Sequence, residues 1–99
     1  MEAKINYQFS GSIWKYLGKG SWYFIALAKR LSNEIRKDNF QFEEGWGRLK
    51  VSAAIKNIEW KTAIWFDSKK ETYLLPIKAE IRQKERIKKG DTIEVILKV

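Results

Sequence analysis

The chain has 99 residues and 11.7 kDa, with 20 Lys and Arg against 12 Asp and Glu, a net charge of +8. Hydrophobic residues, at 44%, are too many for a disordered chain, and charged residues, at 32%, are too many for one embedded in a membrane. The chain has neither Cys nor His, which excludes disulfides, thiolate nucleophiles, Cys- or His-based metal sites and a Ser-His-Asp triad.

From Ile5 to Tyr16 the sequence alternates. Ile5, Tyr7, Phe9, Gly11 and Ile13 share one face and Asn6, Gln8, Ser10 and Ser12 the other, the period of a half-buried strand. Trp14 and Tyr16 then break the polarity of the outer face. Gly18-Lys19-Gly20 supplies a turn, and Trp22 to Leu27 a short apolar return strand, so the first unit reads as a hairpin. Leu27, Leu31 and Ile35 recur every fourth residue among charged neighbours, which predicts a short amphipathic helix closed by Asp38-Asn39. Phe40 to Gly47 is the least regular stretch and is expected to form a structured loop.

A second hairpin carries its own register. With Lys56-Asn57 as a two-residue turn, Ile55 faces Ile58, Ala53 faces Trp60, Val51 faces Thr62 and Leu49 faces Ile64, with the large apolar groups on one side. Arg48, Lys50, Ser52, Ala54, Glu59, Lys61, Ala63 and Trp65 occupy the other face. Asp67 to Glu71 is a polar turn, and Tyr73 to Leu75 a short strand ended by Pro76. A basic helix follows to about Glu85. Lys88 to Asp91 turns the chain into a closing strand with Ile93, Val95, Leu97 and Val99 in phase.

The element order is therefore β-β-α-β-β-β-α-β. Two small helices cannot cover both faces of an open six-stranded sheet, whereas curling the sheet removes its edges and buries its apolar side. The expected fold is mainly β: a small closed or split six-stranded barrel with two short helices, one domain spanning residues 1–99.

Three constellations invite a chemical reading. Gly18-Lys19-Gly20-Ser21 resembles a phosphate loop only superficially: Ile13 stands where the first glycine belongs, and Gly20 follows Lys19. Glu43-Glu44 has no metal-spaced partner and reads as part of a solvated loop. The third is basic and aromatic. Trp14, Tyr16 and Lys19 cluster about the first hairpin, and Arg48, Lys50, Lys61 and Trp65 share the outer face of the second, with Arg48 opposite Trp65. Cations attract phosphate and exposed rings stack on bases, so these seven residues are the candidate ligand-binding set. Trp22, Trp46 and Trp60 are assigned to the core, because a small barrel must fill its interior with large side chains. The charge is spread evenly along the chain, and its richest run is Lys78 to Lys89.

Trp14 to Phe24, Gly45-Trp46-Gly47, Tyr73 to Lys78 and Lys89 to Ile93 together resemble the family called domain of unknown function 1905. That resemblance implies a compact bacterial β-barrel with no established activity. Leu75-Pro76, the helix with Ile81-Arg82, and Ile87 to Val95 resemble one half of an AbrB/MazE-type barrel.

No catalytic residue, metal ligand or cofactor is nominated. The sequence predicts a non-catalytic binding module engaging nucleic acid or another anionic partner. The alternative is a protein-interaction or accessory domain whose aromatic loops contact a protein. A cytoplasmic chain, monomeric or weakly dimeric and with no membrane association, completes the expectation.

Overall fold

A computed structural model describes residues 5–20 and 22–99, and of Trp46 the backbone alone. The alternation after Ile5 becomes β1 (Asn6–Lys15), which turns back into β2 (Tyr23–Ala26). The turn closes with the Tyr16 N–H donating to the Trp22 carbonyl at 2.8 Å, and Gly20 adopts a φ of +88° that a side chain would resist. Next comes α1 (Lys29–Asn39), which buries Ile35 and Ser32 and packs against the barrel, with Arg36 and Lys37 in its last turn favourably placed at the negative end of the helix dipole. The irregular stretch forms two single 3₁₀ turns, Phe40–Phe42 and Gly45–Gly47.

The second hairpin is β3 (Arg48–Ile55) and β4 (Ile58–Asp67), and its register is the one the sequence predicts, from Ile55 opposite Ile58 to Arg48 opposite Trp65. Then follow β5 (Thr72–Pro76), α2 (Ala79–Lys84) and β6 (Thr92–Lys98). The strands close in the order β1-β2-β5-β4-β3-β6, with β6 returning to pair along β1. Of the closed and split forms, the closed one is observed.

Inside the barrel lie Ile13, Ile25, Leu49, Ile55, Ile64, Leu75, Val95 and Leu97, each no more than 2% exposed. Burying side chains of this size contributes about 1.5–3 kcal/mol apiece, enough to overcome the weak intrinsic preference of short strands. Ile5, in phase with this inner set, is nonetheless 49% exposed, because it precedes the first strand.

Two sequence assignments change. Trp22 does not enter the core: it precedes β2, shares the outer phase of Phe24, and is 54% exposed. Trp60 is only partly buried against the core, and the Trp46 side chain lies outside the described residues. Glu43 is not a solvated loop carboxylate. Its side chain is 8% exposed, it accepts a hydrogen bond from the Tyr73 hydroxyl, and its Oε2 lies 3.3 Å from Arg36 Nε, close enough for ion pairing although not aligned for a hydrogen bond. The Arg36 guanidinium in turn lies 3.9 Å over the Phe66 ring. A short polar network thus ties the 3₁₀ segment to α1 and β5.

Burial, reinforced by the Glu43 carboxylate, pushes the Tyr73 phenol well above its ordinary range, and burial raises Tyr7 as well. A raised folded-state pKa stabilises the fold fully below the unfolded value, and that stabilisation is lost as pH climbs beyond it. Denaturation midpoints should therefore fall as pH rises above about 10, where unfolded tyrosines ionise. Tyr73→Phe should flatten this alkaline decline, and an undiminished decline in that variant would assign it to other groups.

Candidate aromatic and basic surface

The outer faces of four neighbouring strands form an apolar surface. Trp14 on β1 stands opposite Phe24 on β2, which stands opposite Pro76 on β5. One ladder step along, Ala26, Leu74, Trp65 and Arg48 lie in a row across β2, β5, β4 and β3. Outward positions on a small barrel are usually polar, so this is a second apolar face, separate from the core. Phe24 is its hub. The Trp22 ring stacks on it at 6.0 Å and 7°, the Trp14 ring lies at 5.3 Å, and Tyr16 meets it edge-on at 6.4 Å. Such pairs contribute about 0.5–1.5 kcal/mol each beyond area burial, which fixes the rings relative to one another.

These rings, with Trp65 and Leu74, line an open groove of about 610 Å³. Tyr16 is 47% exposed, Trp65 39%, and Leu17 at the hairpin tip 97%. Lys70 Nζ lies 5.2 Å from the Trp14 ring, a cation–π contact at the rim, and Asp67 is also on the rim.

Arg48, Lys50, Lys61 and Trp65 line a second groove of about 540 Å³, together with Lys98. Its floor is made of small residues, Ser52 and Ala63, which are buried although they face outward. Ser52 lies in register between Lys61 on one side and Lys98 on the other. Much of the positive charge here is already matched. Arg48 donates to Glu44, Lys50 Nζ lies 3.6 Å from the same carboxylate, and Lys98 Nζ lies 3.3 Å from Glu59. The hydrogen bond from Arg48, with Lys50 assisting, holds the Glu44 carboxyl below its usual range.

The structure thus divides the seven candidates. Trp14, Tyr16 and Trp65 meet in the aromatic groove; Arg48, Lys50, Lys61 and Trp65 meet in the basic one; Trp65 belongs to both. The Arg48 guanidinium lies 5.6 Å from the Trp65 ring, as the cross-strand register predicts. Lys19 is exposed in the first turn and lines neither groove.

Sequence reasoning assigned Trp22 to the core and missed Phe24 and Lys70; Lys78 and Arg82 belong to the basic run it singled out but were not placed beside the grooves. The signal for the first two was present. Ile25 and Leu27 alternate with Phe24 and Ala26, so a continuous period of two places Trp22 on the outer face. The cations belong to loops and a helix, and only the closed barrel brings them beside the strands.

Among the described residues, no cluster of three or more metal-ligating side chains occurs, and no helix is long and apolar enough to cross a membrane. The family described as Domain of unknown function (DUF1905) matches residues 9–97. The chain belongs to that family. No curated protein matches it.

Proposed function

We propose that this domain is a non-catalytic protein-interaction module whose contact surface is the aromatic groove on the outside of β1, β2, β5 and β4. The observation that carries the reading is the company of the outward-facing rings, of which Tyr16, Trp22 and Trp65 are exposed and Trp14 half-buried. Trp14, Tyr16, Trp22 and Trp65 surround aliphatic Leu74 and Pro76, with Leu17 projecting beside them. Tryptophan and tyrosine dominate the binding energy of protein interfaces because they cover large areas at little conformational cost. The neighbouring Arg48 and Lys50 already share Glu44, which lowers their value as phosphate ligands. A second reading, single-stranded nucleic acid, rests on Trp22 beside Lys61, Lys78 and Arg82 along the end of the groove.

The test compares complexes captured from source-cell lysate by the intact protein and by two variants. Trp22→Ala and Trp65→Ala should each reduce recovery of the same partner at least tenfold. Their denaturation midpoints should stay close to the parent's, because both rings are outside the core. The complex should survive nuclease and raised salt. Loss on nuclease treatment, with a steep salt dependence, would overturn the reading in favour of nucleic acid.

A further inference from the structure

We infer that the free edge of β4 takes up an extended acidic segment of the partner as an added strand, an inference that rests on the protein-interaction reading above. Along Ile58–Ile64, β4 pairs with β3 on one side, but β5 joins its other side only at Trp65, Phe66 and Asp67. The reason lies at Pro76. It has no N–H with which to extend the ladder, and the next residue, Ile77, donates its N–H to the Tyr23 carbonyl at 2.8 Å. The ladder to β4 therefore stops at Pro76 while Ile77 continues the pairing with β2, and a gap of about 410 Å³ lies between Trp60–Thr62 and Pro76–Ala79.

Hairpin geometry says which backbone groups face that gap. In a two-residue hairpin the residues flanking the turn exchange hydrogen bonds, here Ile55 with Ile58. The same register commits the backbone of Trp60, Thr62 and Ile64 to β3. It directs the N–H and C=O groups of Glu59, Lys61 and Ala63 outward. None of these three has a second strand partner among the described residues. At roughly 3.3 Å per residue the open stretch from Ile58 to Thr62 is about 16 Å long, the length of a short strand. An open edge of this kind is a template for strand addition.

Charge identifies the occupant. Lys61, Lys78 and Arg82 line the gap, and none is within ion-pair distance of a carboxylate among the described residues. The two acids closest in sequence, Glu59 and Glu80, are held by Lys98 at 3.3 Å and Lys84 at 3.5 Å. Arg82 is fixed in place: its Nε donates to the Ile77 carbonyl at 3.1 Å and its guanidinium lies 3.7 Å from the Tyr23 ring. Trp22 and Trp60 supply the apolar part of the same gap. A strand laid along β4 presents alternate side chains to the two faces, so the matching segment carries Asp or Glu on the Lys61 side and apolar residues on the Trp60 side.

The probe is a displayed library of random nine-residue peptides selected on the intact protein. Selected sequences should alternate acidic and apolar residues. N-methylation at alternate amides of a selected peptide should weaken it at least tenfold, and N-methylation at the intervening amides should not. Amide exchange at Glu59 and Lys61 should slow when the peptide binds. Lys78→Glu should weaken binding about tenfold and Lys19→Glu leave it unchanged. Peptides that require Trp22 and Trp65 but leave Glu59 and Lys61 exchanging freely would overturn strand addition while preserving the interaction reading. A library without binders, alongside tight oligothymidine binding, would overturn both.

Discussion

Replacing Tyr73 with alanine should destabilise the fold by about 3–5 kcal/mol, the range for deleting a large buried aromatic. Tyr73 is fully buried and joins three parts of the molecule. Its N–H donates to Ser32 Oγ of α1 at 2.9 Å, and its carbonyl accepts from the Leu27 N–H at 3.0 Å. Its ring meets Phe66 edge-on at 5.2 Å, and its hydroxyl donates to Glu43. The alanine variant keeps the two backbone bonds and loses the ring, the hydroxyl and one partner of a buried carboxylate. Tyr73→Phe keeps the ring, so it should cost only about 1–3 kcal/mol, the penalty of leaving a buried acceptor short of a donor. Urea denaturation of both variants measures the difference. An alanine variant no weaker than the phenylalanine one would mean that the ring contributes little beyond its hydroxyl.

The second large effect is expected at Gly11. A Cβ there would lie 2.7 Å from Ile25 Cγ2 and 3.3 Å from the Ala26 carbonyl oxygen. Ile25 is itself fully buried, and Ala26 is held in register with Leu74, so neither neighbour has room to retreat. Overpacking usually costs about 1–3 kcal/mol, and Gly11→Val should reach at least the upper end of that range because one of the clashes is with backbone. For a domain of this size that corresponds to a fall in melting temperature of at least about 10 °C. Ser12→Val, one residue on and facing solvent, is the control and should change the midpoint little. A Gly11→Val protein that melts with the parent would show that β1 can move away from β2 there.

How much of this was legible beforehand depended on whether the information was local. The β3–β4 register could be read residue by residue, because a two-residue turn and a strict alternation leave one alignment that puts Leu49, Val51, Ile55, Ile58 and Ile64 together. The closed barrel was legible as the remedy for an uncovered apolar sheet. Glu43 was misread because Tyr73, which donates to it, comes from a distant part of the chain, and Arg36 reaches it only through the way the 3₁₀ turn folds back on α1. Trp22 was misread for a different reason. Size and hydrophobicity favour burial, and here strand phase overrode them. The basic cluster was legible in part: Arg48 over Trp65 follows from register, whereas the neutralising role of Glu44 depends on how the 3₁₀ segment folds back.

The pairing of β1 with β6 has a kinetic side. Asn6 aligns with Lys98, so the ladder that shuts the barrel joins opposite ends of the described chain. The β3–β4 hairpin closes a loop of only two residues, while the β1–β6 ladder must overcome the closure entropy of everything between Ser12 and Thr92. Proteins dominated by such distant pairings cross their folding barrier slowly, in milliseconds to seconds rather than microseconds. Until that final seam forms, β1 and β6 both present unsatisfied edges and the apolar interior stands open. The interval before closure is therefore when this chain is most exposed to mispairing with its neighbours.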